Sequence, residues 1–279
     1  MRTRLGWFAG SALVAAGLLV ALTSVGAQQA PAYRAPRASD GHPNLNGIWQ
    51  AMNTANWDIE AHPAAFSPVR DLGAAGAVPG GLGVVEGGAL PYKPDALAKK
   101  KENYANRLKL DPEIRCYLPG VPRAIYQPFP FQIIQSKDYV MIIHEFAGAV
   151  RTVYMTNQTE APADSWMGWS NGKWDGESLV VDTKGFNDLS WFDRAGNFHS
   201  DALHVVERFT PRSAETLNYE ATVEDTNVFT RPWKMSMPLY KRVEPNIMPL
   251  EYECMALDVY ENGRYNDRIE QSQKKRGTN

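Results

Sequence analysis

The sequence predicts a mainly β protein: an antiparallel up-and-down barrel of about eight to ten strands, with an irregular N-terminal insertion and one surface helix. From residue 128 onward, short apolar segments alternate with turn residues, and most links between them have hairpin length. Such a meander removes its exposed edges most simply by closing into a barrel. A β-sandwich is the main alternative.

The elements follow in order along the chain. Residues 44–50 are expected to form the first strand, and residues 61–94 are too rich in Ala, Gly and Pro for regular structure. Pro94 opens a predicted helix that runs to about Leu110, with Leu97, Tyr104 and Leu108 at helical spacing. Further strands are predicted at 131–135, 139–146, 149–155, 166–174, 178–183, 203–209, 216–224 and 232–240. Residues 44–270 are therefore expected to form one barrel domain, with an insertion at 61–115 and a polar tail at 271–279.

The N-terminus has the pattern of a secretory signal. A basic start with Arg2 and Arg4 precedes an apolar run, and small residues end at Ala27. This pattern predicts a signal peptide at 1–27, followed by a flexible lead-in at 28–43. Glycines interrupt the apolar run and no basic stop-transfer flank follows it, so we expect no stable membrane anchor. The predicted location is the periplasm or the medium.

The charge of the chain bears on its possible binding partners, and its cysteines bear on the compartment in which it works. Removing Arg2 and Arg4 with the signal leaves 27 basic against 31 acidic side chains, a formal charge of −4. No clustered basic face is apparent, so no nucleic-acid partner is expected. Cys116 and Cys254 are the two cysteines, and in an oxidising compartment they are predicted to form a disulfide.

Four stretches of the chain resemble those of known families. Gly47-Ile48-Trp49 resembles the Gly-x-Trp opening of lipocalin-like (calycin) barrels. The segments 116–123 (CYLPGVPR) and 169–183 (WSNGKWDGESLVVDT), together with 206–209 (VERF), resemble a large uncharacterised family of secreted bacterial proteins. That resemblance implies export and family membership, and it brings no reaction with it.

Acidic side chains interrupt several apolar strand faces. Alternate residues of a strand share a face, so Glu145 follows an apolar row through Ile143, and Glu207 lies within one. A buried carboxylate must be paired, hydrated or placed at a working site. His199 lies in a loop before a strand, where binding groups often occur. The candidate catalytic residues are Glu145, Glu207, His199 and Asp182.

Other side chains would hold a ligand near these carboxylates. Arginines would orient a ligand oxygen, tryptophans near turns would stack on a ring, and a tyrosine would add a hydroxyl. The candidate ligand-binding residues are Arg151, Arg208, Trp169, Trp191 and Tyr219. The structural alternative is that Glu145 and Glu207 only form ion pairs with Arg151 or Arg208.

Motifs for metals and cofactors are missing from the sequence. The histidines lack His-x-x-x-His or His-x-His spacing, no cysteine cluster accompanies them, and there is no Gly-x-Ser-x-Gly or phosphate loop. No metal or cofactor is therefore predicted.

Three functions remain open. The first is a cofactor-independent acid–base enzyme, such as a lyase, isomerase, hydratase or hydrolase, acting on a small apolar or aromatic molecule. The second is a non-catalytic carrier of lipocalin type. The third is a carbohydrate-active protein with tryptophan platforms and a carboxylate pair. Carboxylates on apolar faces favour the first.

Overall fold

Nine β-strands form a closed barrel in the computed structural model, which describes residues 33–252. The strands are β1 (Gly47–Ala51), β2 (Phe131–Gln135), β3 (Tyr139–His144), β4 (Val150–Tyr154), β5 (Trp169–Asp175), β6 (Ser178–Lys184), β7 (His204–Pro211), β8 (Thr216–Glu224) and β9 (Trp233–Lys241). Each strand pairs with its neighbours in sequence, and β1 pairs with β9 to close the ring. The predicted barrel is thus confirmed.

The barrel is mixed, so the prediction of a purely antiparallel meander is wrong at one place. Strands β4 and β5 run parallel, with Val153 opposite Ser170 and Tyr154 opposite Asn171. Nine strands in sequence order cannot alternate direction all the way around a closed ring, so one neighbouring pair must be parallel. The link across residues 155–168 is long enough for the crossover that a parallel pair requires.

A hairpin joins β5 and β6, as the short link between the predicted strands indicates, and its turn has two residues instead of the three at 175–177. Asp175 pairs with Ser178, which leaves Gly176 and Glu177 as the turn. Gly176 has a φ of +59°, the conformation that the favoured hairpin turns need and that glycine adopts without strain.

The predicted helix is present in two pieces, α1 (Pro94–Ala105) and α2 (Arg107–Leu110). Single 3₁₀ segments cover Arg70–Gly76, Pro112–Arg115 and Arg123–Tyr126. Helix α1 buries Ala96 and Asn103, whereas the apolar residues at helical spacing stay exposed. No helix among residues 33–252 has the length and hydropathy of a membrane span.

Large side chains fill the inside of the barrel. Burial alternates strictly along β7 and β8, with the inward residues buried and their neighbours partly exposed. Bulky inward side chains that are almost completely buried are Trp49, Phe131, Phe209, Leu217, Tyr219 and Met235. The interior is therefore a packed core. The burial of each such side chain stabilises the fold by roughly 1.5–3 kcal/mol.

Residues 33–43, predicted as a flexible lead-in, contact the barrel. Arg37 forms an ion pair with Glu177 at 2.6 Å, and His42 stacks on Trp174 with ring centroids 4.9 Å apart. The predicted signal peptide, the polar tail and Cys254 lie outside the described residues, so the signal and the disulfide stay predictions.

Candidate functional site

A buried ion pair crosses the barrel interior. Arg151 on β4 and Glu207 on β7 are 2 % and 0 % exposed, and these strands are separated by β5 and β6. Arg151 Nη1 donates to Glu207 Oε1 at 3.1 Å, and Arg151 Nη2 contacts Glu207 Oε2. The prediction that Glu207 lies on an inward face is confirmed, and Arg151 lies inside the barrel with it.

Three hydroxyl groups complete this site, here called the luminal cluster (Arg151, Ser170, Thr183, Glu207 and Tyr219). Arg151 Nε donates to Ser170 Oγ at 2.8 Å, and Arg151 Nη2 donates to Thr183 Oγ1 at 2.7 Å. The Tyr219 hydroxyl donates to Glu207 Oε1 at 2.9 Å. Burial, together with the Glu207 charge, raises the pKa of Tyr219 well above its ordinary value, so the phenol remains a donor. Hydrogen bonds of this kind are what a buried ion pair needs in order to be tolerated.

His144 also points inward, from β3, where it is packed and 2 % exposed; it was not among the predicted site residues. Neither ring nitrogen has a hydrogen-bond partner of normal geometry among residues 33–252, although the Ala124 backbone lies close enough to affect the ring. Burial, and then the charge of Arg151, lower the pKa of His144 to about 3. The ring is therefore neutral at ordinary pH.

Two predicted catalytic carboxylates lie outside the barrel. Glu145 follows β3, and its Oε2 accepts a hydrogen bond from the Leu250 backbone at 3.0 Å. Asp182 lies on the outer face of β6, where its side chain is 51 % exposed and 3.1 Å from His204 Nε2. The prediction that these carboxylates face an enclosed space with Glu207 is wrong. Strand β3 has apolar residues on both faces, and pairing with β2 and β4 places the face of His144 inside.

His199 is buried in the link between β6 and β7. Its Nε2 lies 2.8 Å from Ser190 Oγ, and its Nδ1 lies 2.9 Å from the Ser200 carbonyl oxygen. Burial lowers the pKa of this ring below its ordinary value. His199 does lie in the loop before β7, as the sequence indicates, but it is buried, and none of these hydrogen bonds reaches a predicted carboxylate.

The predicted ligand-binding residues occupy different places. Arg208 lies on the outer face of β7 and pairs with Asp175 at 2.6 Å, while Trp191 is buried in a loop where it bridges to Phe198. Tyr219 belongs to the luminal cluster. The structure therefore brings Tyr219 to the site of Arg151 and leaves Arg208 and Trp191 apart from it.

A cleft of about 390 Å³ opens on the barrel wall beside the parallel pair. The pairing of β4 with β5 covers only the end of β4, so Val150 and Thr152 have no strand partner on that side. This seam cleft is lined by Leu118, Val150, Arg151, Thr152, Tyr154, Pro162, Ala163, Ser165, Trp166, Met167, Gly168 and Trp169. Arg151 belongs both to this lining and to the luminal cluster.

Two aromatic pairs contribute Tyr154, Trp166 and Trp169 to the cleft wall. Tyr154 stacks on Trp169 with centroids 4.5 Å apart and planes 18° apart. Tyr117 packs against Trp166 at 4.6 Å. Of these rings, sequence reasoning selected only Trp169. Trp166 was not selected, because the contact of its ring with a cleft depends on the crossover, which the local sequence pattern does not predict.

A second charged network ties the loops to the barrel. Buried Arg123 reaches Asp111 Oδ1 with Nη1 at 3.1 Å and Glu113 Oε2 with Nη2 at 2.6 Å. Glu113 Oε1 also accepts from Arg194 Nη2 at 2.5 Å. This network joins the insertion before β2 to the link between β6 and β7, and sequence spacing carried no signal for it.

Asp193 is completely buried next to that network. Its carboxylate accepts hydrogen bonds from the backbone of Ile59 at 2.9 Å and from Asn197 Nδ2 at 2.6 Å. Burial, with a smaller effect of Asp58, raises the pKa of Asp193 to about 7. Its hydrogen bonds fix the surrounding loops. Within residues 33–252, no group of three or more His, Cys, Asp or Glu side chains is placed to hold a metal ion.

Comparison with known proteins adds no family: no family model matches the chain, and neither does any curated protein. The resemblance of residues 116–123 and 169–183 to secreted bacterial proteins therefore stays a prediction.

Proposed function

We propose that this protein binds a small apolar or aromatic molecule in the seam cleft. The observation that carries the proposal is the cleft itself, whose volume of about 390 Å³ falls in the range of small-molecule sites, roughly 300–1,000 Å³. Its lining combines aliphatic and aromatic side chains with few polar groups, as such sites do. The packed interior of the barrel makes the wall, and not the lumen, the place for a ligand.

The aromatic stacks favour a flat ligand. Trp166 and Trp169 are each packed against a tyrosine, so the indole rings are held in place before a ligand arrives. A ring fixed in this way loses little conformational freedom on binding, and aromatic contacts add about 0.5–1.5 kcal/mol beyond the area they bury.

Acid–base catalysis is the second candidate, and one observation favours it. Arg151 lines the seam cleft and pairs directly with Glu207, so a ligand in the cleft would lie one residue away from a buried acid. Against this, Glu207 is completely buried, and both of its oxygens already have partners in Arg151 and Tyr219. We therefore propose a binding protein first.

We infer that the protein is exported after removal of residues 1–27. The basic start and apolar run of the N-terminus support this inference. Mass spectrometry of the alkylated, unreduced protein from the periplasm tests this inference and the predicted Cys116–Cys254 disulfide. The mass of a chain that begins at Gln28 and carries no thiol label agrees with both, whereas two labelled thiols would contradict the disulfide.

Blocking the cleft tests the binding proposal. The probe is 7-methoxy-4-methylcoumarin, a flat neutral fluorophore, and its binding is measured by fluorescence anisotropy. Ala163→Trp fills the cleft and should weaken binding at least tenfold, whereas Ala202→Trp, an equally exposed alanine in the turn before β7, should leave binding unchanged. No saturable binding by the unaltered protein, or equal binding by both variants, contradicts the proposal.

A further inference from the structure

Trp169 also lines a second cavity, of about 370 Å³. This polar cleft is lined by Thr159, Glu160, Ala161, Trp169, Asn171, Asp182 and Lys184. The crossover supplies residues 159–161 to the polar cleft and residues 162–163 to the seam cleft. The two cavities therefore share one segment of the chain and the Trp169 ring as parts of their linings.

Two residues that line the polar cleft, Trp169 and Asn171, each carry a buried polar atom without a partner. Trp169 Nε1 and Asn171 Oδ1 are buried atoms that form no hydrogen bond with any group in the described part of the chain. Asn171 Nδ2 donates to the Thr159 carbonyl oxygen at 2.8 Å, which fixes the amide and leaves Oδ1 as the open acceptor. Buried polar atoms without partners cost free energy, and each one calls for an explanation.

These two atoms lie on the same face of one strand. Trp169 and Asn171 are two residues apart on β5, so their side chains both project from the outer face of the barrel. A ligand that satisfies both must accept from an N–H and donate to a carbonyl oxygen. A hydroxyl group does both, and neighbouring hydroxyls on one ring do so at once.

The charges around the cleft have both signs. Glu160 and Asp182 bring carboxylates, Lys184 brings an ammonium, and Asp182 already contacts His204. No excess of positive charge is present to select a phosphate or a carboxylate. The surroundings suit a neutral, hydrogen-bonding group.

We propose that both clefts hold one ligand, with its apolar or aromatic body in the seam cleft and a neutral head bearing neighbouring hydroxyls in the polar cleft. Trp169 is the wall shared by the two parts, and Tyr154 holds that wall in position. This inference rests on the proposed binding function, and it adds the chemical class of the ligand: a hydroxylated ring joined to an aromatic body, as in an aryl glycoside.

Two probes with the same aromatic body test the inference. 4-Methylumbelliferyl β-D-glucoside carries a ring of hydroxyls where 7-methoxy-4-methylcoumarin carries a methyl group. Isothermal titration should show the glucoside binding roughly tenfold more tightly, the effect of two net hydrogen bonds. Trp169→Phe keeps an aromatic wall and removes the N–H, so it should weaken glucoside binding several-fold more than it weakens methoxycoumarin binding.

Trp174→Phe is the matched control, because Trp174 lies on the same strand outside both clefts, and it should change neither affinity. Asn171→Leu removes the acceptor and should reproduce the selective loss, which keeps the test valid if Trp169→Phe does not fold. Equal affinity for the two probes, or equal weakening of both by Trp169→Phe, would overturn this inference while leaving the binding function in place. Failure of both probes to bind would overturn the binding function itself.

Discussion

Arg151 and His144 point into the same barrel from neighbouring strands, and the protein accommodates the two side chains in opposite ways. Arg151 forms hydrogen bonds with Ser170, Thr183 and Glu207, so its charge is matched inside the core. His144 has no such partners and stays inside by remaining neutral. The burial of a charge in this core therefore requires hydrogen-bonding groups from several strands. The burial of His144 requires instead that the ring stay neutral, so the stability of the fold should depend on pH.

The largest expected effect comes from breaking the ion pair. Arg151→Met leaves the Glu207 carboxylate buried and unpaired, and we expect a loss of about 3–5 kcal/mol in the free energy of unfolding. Urea denaturation followed by circular dichroism measures it. Arg208→Met is the control, because Arg208 pairs with Asp175 on the exposed outer face, and it should cause no measurable change.

A double variant sharpens this test. Arg151→Met combined with Glu207→Leu removes both charges and should recover most of the stability that the single change loses. A double variant as unstable as the single one would show that the hydroxyl groups of the luminal cluster, and not the unpaired carboxylate, determine the loss.

A smaller effect is expected at the edge of the luminal cluster. Tyr219→Phe removes the hydroxyl that donates to Glu207 Oε1 and keeps the ring, so the free energy of unfolding should fall by about 2 kcal/mol. The same urea experiment measures it. A loss as large as that of Arg151→Met would mean that the phenol, rather than the guanidinium, holds the carboxylate inside the barrel.

The smallest effect at neutral pH is expected from His144, and it should grow in acid. The folded ring has a pKa of about 3 against 6.5 for the free side chain, so between these values the unfolded chain binds a proton that the folded chain does not. Stability should therefore fall as the pH drops from about 6.5 towards 3. His144→Phe should weaken this dependence, and His42→Phe, on the exposed lead-in, is the control. Thermal melts from pH 7 to pH 4 that fall equally steeply in all three proteins would contradict the assignment.

Strands β7 and β3 illustrate what the sequence pattern could and could not decide. Along β7, Val205 and Phe209 mark one face as apolar and the opposite face carries His204, Arg208 and Thr210, so the sequence already predicted that Glu207 faces inward. Along β3, both faces are apolar, and only pairing with β2 and β4 decides that His144 faces in and Glu145 does not. A shift of one residue exchanges the two faces of a strand. The sequence of a strand that is apolar on both faces therefore does not tell which face is inside.

The sequence by itself determined the strands, their order around a closed barrel, the hairpin at Gly176 and the inward place of Glu207. Local periodicity and turn chemistry act over a few residues, and they suffice for these features. Only the tertiary structure decided the parallel seam, the two clefts beside Trp169 and the partners of each buried charge. These depend on closing a ring of nine strands and on contacts between residues far apart in the chain, which no local pattern records.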